Sequence, residues 1–217
     1  MFNRLLIIGC GLLGSSILRA ASSKKLSKKI FIYEKSNKNI SEIKKLKIPC
    51  QILKNLNKDI SDIDFVIICT PMSEYHKIIP KLNAHLSARS IITDVGSTKT
   101  NVLKLIKKQL EKKLKWIPSH PIAGSEVSGP EYGNKNLFLN KWCVIIREKT
   151  TNLKKLKVLK KFWKKLGSQV IFMNANSHDK IFSITSHLPH LIAYNLIKTA
   201  KDFEKIQKNS LIKYSAG

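Results

Sequence analysis

FNRLLIIGCGLLGSSILRAAS, residues 2–22, is an opening that two unrelated kinds of protein share. One is an exported lipoprotein: Arg4 precedes an apolar run, IIGC has the small-residue-then-cysteine form of a lipid-attachment site, and Ala20 and Ala21 are small enough for cleavage. The other is a strand, Leu5 to Ile8, that runs into a phosphate-binding turn. Gly9, Gly11 and Gly14 have the spacing GxGxxG between an apolar strand pattern and a helical one. In such a turn the first glycine allows a tight bend, the second lets backbone approach a pyrophosphate, and the third lets helix and strand pack closely. Leu12 and Leu13 complete the turn and start the helix, whose free N–H groups would face the phosphates.

The deciding residue lies about 20 positions on. Glu34 closes the apolar run IFIYE (30–34), where a carboxylate is needed for the adenosine ribose hydroxyls. A secretion signal has no use for it. A carboxylate there repels a 2′-phosphate and favours NAD, while Lys35 beside it keeps NADP open. Thr70, which ends the run FVIICT (65–70), and Pro71 after it fall where doubly wound folds bind ligand outside the strand ends.

Along the rest of the chain, further β-rich runs, SIITDV (90–95), WIPSH (116–120), CVIIR (143–147) and QVIFM (169–173), alternate with lysine-rich segments of helical period. Helices are expected over 11–21, 75–85, 98–113 and 152–166. The alternation predicts an α/β fold of Rossmann type, with a doubly wound, mainly parallel sheet. After Met173 the period is helical throughout. The expected organisation is a dinucleotide-binding domain over 1–174 and the start of an all-helical domain over 175–217.

A net charge of +26 suggests nucleic acid or an anionic membrane, but 36 Lys against 4 Arg argues otherwise. Nucleic-acid readers rely on arginine for bidentate contacts and on interleaved aromatics for stacking. The lysines are expected on solvated helix faces, and the field suits a small anionic substrate. No apolar run reaches the roughly 18 residues needed to span a bilayer, so no membrane partner is expected. Cys10, Cys50, Cys69 and Cys143 form no CxxC pair, which favours a reducing, cytoplasmic setting.

Three polar clusters carry the remaining chemistry. In DVGSTK (94–99), Ser97 reads first as the N-cap of the next helix, with a hydroxyl that can still reach the cleft. In SHPIAGSEVSGPEYG (119–133), His120 closes a strand on the cleft side, the place for a general base in a dehydrogenation. In SHDKIFSITSHLPH (177–190), His187 and His190 are three apart on one helix face, with Pro189 between them. A metal is not expected there, because Asp179 alone does not complete a ligand set with these imidazoles.

GCGLLGSS, DVGSTK, HPIAGSEVSG and HD(x)7HLPH, in this order, resemble the prephenate and arogenate dehydrogenase family of tyrosine biosynthesis. The resemblance spans nearly the whole chain. It implies NAD(P)-dependent oxidation of a cyclohexadienyl substrate: hydride leaves the carbon bearing the hydroxyl, and loss of CO2 aromatises the ring. By the same resemblance His120 takes the hydroxyl proton while neutral, so that activity rises with pH, and Ser97 is its partner. His190 contacts substrate, Glu126 stands near the cleft mouth, and His178 and His187 belong to the motif. The family's segment beginning SAG continues into an arginine for a substrate carboxylate and into helices of a homodimer. With Gly217 last in the sequence, the expectation is a fragment or a natural truncation whose dimer needs those helices. Two alternatives remain: another Rossmann dehydrogenase of the β-hydroxyacid type, and a basic nucleotide- or nucleic-acid-binding module without catalysis.

Overall fold

The computed structural model describes residues 1–57 and 60–207. Ser215–Gly217, where the resemblance places the start of the arginine-bearing segment, lie outside the described residues. Strands β1 (Phe2–Ile8), β2 (Ser27–Tyr33), β3 (Gln51–Leu53), β4 (Phe65–Ile68), β5 (Ile91–Asp94) and β6 (Lys115–Trp116) form a six-stranded sheet in the order β3-β2-β1-β4-β5-β6. Every pairing in it is parallel. The order runs outward from β1 in both directions. This creates a crevice at the carboxyl ends of β1 and β4, the switch point at which such sheets bind ligands.

Both faces of the sheet are covered, which is why its strands read as continuous apolar runs. Leu5 and Ile7 join one core with Ile17, Leu18, Phe162 and Trp163. Leu6 and Ile8 join the other with Tyr75, Ile79, Leu82 and Trp116. The first core packs α1 (Leu12–Ser23) and α5 (Leu153–Leu166) on one face, and the second packs α3 (Tyr75–His85) on the other. Complete burial of Leu5, Leu6, Ile7 and Ile8 is worth about 1.5–3 kcal/mol for each side chain. On α5, Leu156, Leu159, Phe162, Trp163 and Leu166 point inward, leaving Lys154, Lys157, Lys161, Lys164 and Lys165 exposed. The lysines there clothe a solvated face, as their spacing predicts.

The sequence reading departs from the structure in four places. The run WIPSH is two strands: β6 ends at Trp116, and β7 (Ser119–Pro121) joins a separate sheet in the order β7-β8-β9, with β8 Trp142–Ile146 and β9 Gln169–Met173. Pro118 lies between them, and its fixed φ and missing N–H interrupt a ladder. In this second sheet β7 pairs antiparallel with β8, and β8 parallel with β9. A short helix, α2 (Asn37–Lys45), and the three-residue β3 were not foreseen. The helix expected over 98–113 is α4, Thr100–Gln109. Its N-cap position is held by Lys99, whose side chain makes no capping bond, so Ser97 is not the cap.

The chain divides into two compact units, Met1–Ala175 and Asn176–Gly217. Apart from its first residue, α6 (Ala175–Phe182) belongs to the second unit, where it passes through a π segment, Ser183–His187, into α7 (Leu188–Gln207). Pro189 cannot donate to the carbonyl four residues before it, and its ring crowds that carbonyl; the wider π coil accommodates both effects. Leu188, Leu191, Ile192, Leu196 and Ile197 on α7 are exposed. Among the described residues no helix is long and apolar enough to cross a membrane.

Candidate active site

The glycine turn sits at the switch point. Gly9 has φ +85°, and a Cβ on it would lie 2.8 Å from Thr70 Cγ2. A Cβ on Gly14 would strike the carbonyl oxygen of Gly9, so β1 and α1 pack as closely as backbone permits. Gly11 differs, because a Cβ there would meet nothing within 4 Å. The open space lies in front of an α1 N-terminus that has no side-chain cap and no acidic residue in its first turn, Leu12 and Leu13 included. Such a terminus offers N–H groups and the positive end of the helix dipole to an anion.

Glu34 stands one residue past β2, beside this turn. Its Oε2 accepts the backbone N–H of Cys10 at 2.8 Å, and its Oε1 accepts those of Lys35 and Ser36 at 2.8 and 2.9 Å. The carboxylate is thereby tied to the turn it was expected to serve. Lys35 extends away, its Nζ 3.0 Å from Glu74 Oε2. Thr70 follows β4, and its buried Oγ1 has no hydrogen-bond partner among the described residues. Pro71 next to it is exposed and precedes the 3-10 turn Met72–Glu74. Together the open ground at Gly11, the uncapped helix, the fixed carboxylate and the orphaned hydroxyl fit a dinucleotide.

A second assembly occupies the end of β5. The buried Asp94 carboxylate receives Lys99 Nζ at 2.6 Å, Gly96 N at 3.0 Å, Trp116 Nε1 at 3.1 Å and Tyr75 Oη at 3.2 Å. Asp94 and Lys99 are both fully buried. Burial, and then the Asp94 charge, push the Tyr75 phenol far above its usual range, so it remains a donor. Two of the four donors come from the turn 95–99, so Asp94 organises the loop on which exposed Ser97 is carried. The sequence reading looked to Ser97 and passed over Asp94, Lys99, Tyr75 and Trp116. The available signal was a carboxylate closing an otherwise apolar strand.

His120 is the middle residue of β7, partly exposed, and pairs with Val144 of β8. Its neighbour Ser119 is buried and fixes the strand: the Ser119 hydroxyl donates to the carbonyl oxygen of Asp94 at 2.8 Å, lies 2.8 Å from Thr93 Oγ1, and accepts Trp163 Nε1 at 3.1 Å. The residue before His120 is thereby tied to the carboxyl end of β5. Glu126 lies on an exposed part of the following loop. Beyond it the loop is docked on α1 by Arg19 Nη2, which donates to the Pro130 carbonyl at 3.2 Å, and by Asn134 N, which donates to Ser16 Oγ at 3.0 Å.

Three further histidines, His178, His187 and His190, belong to the second unit. His178 is buried, its Nδ1 2.8 Å from Asp179 Oδ1 and its ring 4.6 Å from that of Phe182. His187 ends the π segment, half-buried, and His190 is exposed on α7. Among the described residues no group of three or more His, Cys, Asp or Glu side chains is placed to hold a metal.

Comparison with known proteins settles the family. Residues 18–172 match the model of the prephenate dehydrogenase nucleotide-binding domain, and residues 174–217 match that of the prephenate dehydrogenase dimerization domain. The chain belongs to the prephenate dehydrogenase family. It is 30% identical over all its 217 residues to the cyclohexadienyl dehydrogenase of Zymomonas mobilis, of which it spans 74%. It is also 30% identical to the prephenate dehydrogenase of Lactococcus lactis, covering 99% of this chain and 58% of that one. The crystal structure of the Aquifex aeolicus prephenate dehydrogenase, in complex with hydroxyphenyl propionate and NAD+, superposes with a TM-score of 0.90 at 32% identity. That match covers 99% of this chain and 74% of the other. The six-stranded parallel sheet is therefore of the Rossmann kind. Prephenate and cyclohexadienyl dehydrogenases are NAD(P)-dependent oxidoreductases of tyrosine biosynthesis.

Proposed function

We propose that this protein oxidises a cyclohexadienyl acid, prephenate or its amino counterpart arogenate, with NAD+, yielding 4-hydroxyphenylpyruvate or tyrosine and CO2. The observation that supports the reading is Ser119 bonded to the Asp94 carbonyl, which ties the residue before His120 to the carboxyl end of β5, in the sheet that bears the glycine turn. Glu34 holds the ribose end of the cofactor, Gly9, Gly11, Leu12, Leu13 and Gly14 receive its pyrophosphate, and Thr70 and Pro71 line the crevice. When bound, the cofactor supplies the hydride acceptor. His120, with Ser97 as its partner by the family motif, would take the proton of the ring hydroxyl while neutral, as the hydride departs from the same carbon. The resulting carbonyl draws in the electrons released when the ring carboxylate leaves as CO2, and the phenolate oxygen recovers the proton from His120. His187, His190 and Glu126 are assigned to the substrate side, on the strength of their place in the family motif.

The exposed apolar face of α7, in the part of the chain that matches a dimerization domain, supports a homodimer. Four free cysteines support a cytoplasmic setting. The test is formation of NADH from NAD+ with prephenate and with arogenate. Replacement of His120 by Asn should lower turnover by about 10²- to 10⁴-fold while NADH still binds. Turnover with β-hydroxyacids in place of either substrate would overturn the reading.

A further inference from the structure

Lys35 and Glu74 are joined by an ion pair that the reaction does not require. Lys35 follows β2 and Glu74 follows β4, and β1 lies between those strands, so the pair crosses over the carboxyl end of β1 where the glycine turn begins. Glu74 is held from both sides: Lys35 Nζ is 3.0 Å from one oxygen and Lys77 Nζ 2.7 Å from the other. These two ammonium groups lower the Glu74 carboxyl to about 2, so it stays charged at any working pH. The same bond raises the Lys35 ammonium. Lys35 is also adjacent in sequence to Glu34, the carboxylate assigned to the ribose.

A dinucleotide with a 2′-phosphate brings almost two extra negative charges to this place and needs a cation to receive them. Lys35 is the cation next to the ribose carboxylate, and Glu74 occupies it. A 2′-phosphate must therefore detach Lys35 from Glu74 before Lys35 can receive it. NAD+ makes no such demand.

We propose that Glu74 is a specificity-determining residue, which sustains the preference for NAD+ over NADP+ by keeping Lys35 engaged across the crevice. The proposal rests on the dinucleotide reading above. It is tested by measuring NADH and NADPH affinities, by fluorescence, together with kcat/KM for NAD+ and NADP+, in the unmodified protein and in Glu74→Gln, Lys35→Ala and the double variant.

In Glu74→Gln the NADP+ to NAD+ ratio of kcat/KM should rise at least fivefold, with the NADPH to NADH affinity ratio moving the same way. In the double variant the gain should disappear, because it is exercised through Lys35. A ratio within twofold of the unmodified value in Glu74→Gln overturns the proposal alone, and so does a gain that survives the loss of Lys35. If the unmodified protein binds neither dinucleotide, the underlying reading falls and the proposal falls with it. Circular dichroism checks the fold of each variant, and Lys35→Ala, exposed and outside both cores, gives an independent measure if Glu74→Gln folds poorly.

Discussion

The hydroxyl of Ser119 rests on the backbone carbonyl of Asp94, 2.8 Å away, and through that bond the strand of His120 is fastened to the end of β5. The same oxygen accepts the Trp163 indole and lies against Thr93, so one small side chain completes three polar contacts inside the core. Ser119→Ala leaves the buried indole N–H without its acceptor, at a cost of about 1–3 kcal/mol. Urea unfolding should report that loss. Turnover should fall more than NADH affinity, because the dinucleotide turn lies at β1, away from the altered contact.

Asp94 is surrounded by four donors, and the consequence is asymmetric. Asp94→Asn leaves the Lys99 ammonium buried without its counter-charge, which is expected to destabilise the protein by about 3–5 kcal/mol. In Lys99→Met the carboxylate keeps Tyr75, Trp116 and Gly96 as donors, so the loss should be smaller. Equal unfolding midpoints for the two variants would show that the carboxylate does not organise this corner.

Gly11 and Gly14 should separate stability from binding. Gly14→Ala drives a methyl group into the Gly9 carbonyl and should lower the melting temperature sharply. Gly11→Ala meets no protein atom, and melting should change little while NADH affinity drops at least tenfold. Thermal melts paired with NADH fluorescence titration distinguish the two.

Glu74 gives a prediction in pH. Its folded carboxyl, at about 2, lies below the ordinary carboxylate value of 4.5, so its contribution to stability is complete above about pH 4.5 and is lost as pH falls through 2. The difference in urea midpoint between the unmodified protein and Glu74→Gln should be constant from pH 5 to 8 and shrink toward pH 2. A difference that instead grew below pH 4 would mean that the carboxyl is not held by Lys35 and Lys77.

The cysteines should be slow to react. Burial pushes the thiols of Cys10, Cys69 and Cys143 well above their usual range, and Cys50, half-buried, is raised less. A thiolate-specific reagent at pH 8 should label Cys50 first, Cys69, whose thiol is raised further, more slowly, and buried Cys10 and Cys143 only on unfolding. Peptide mapping by mass spectrometry reads the order.

Much of this was legible because the sheet is buried on both faces. Runs such as LLII and FVII are strong signals, and the helix over 75–85 was read to the residue. The separate sheet was not legible, since whether a strand after Pro118 rejoins its first sheet or pairs with β8 depends on contacts over 20 residues away. Ser97 misled for a similar reason: Ser before a helical period looks like a cap, but the Asp94 carboxylate had already claimed the turn. Glu34 was rightly placed near the glycine turn, though its bonds to the N–H groups of Cys10, Lys35 and Ser36 could not be seen in one dimension.

The π segment Ser183–His187 changes the angular phase of the helix that contains it. Bonding from i to i+5 takes about one residue more per turn than an α-helix, so side chains after His187 point in directions that a continuous α-helix would not give them. The apolar stripe of Leu188, Leu191 and Ile192 is aimed by that offset. Deleting one residue within Ser183–His187 would rotate the stripe about the helix axis while leaving its composition untouched, so the same apolar side chains would leave the helix in a new direction.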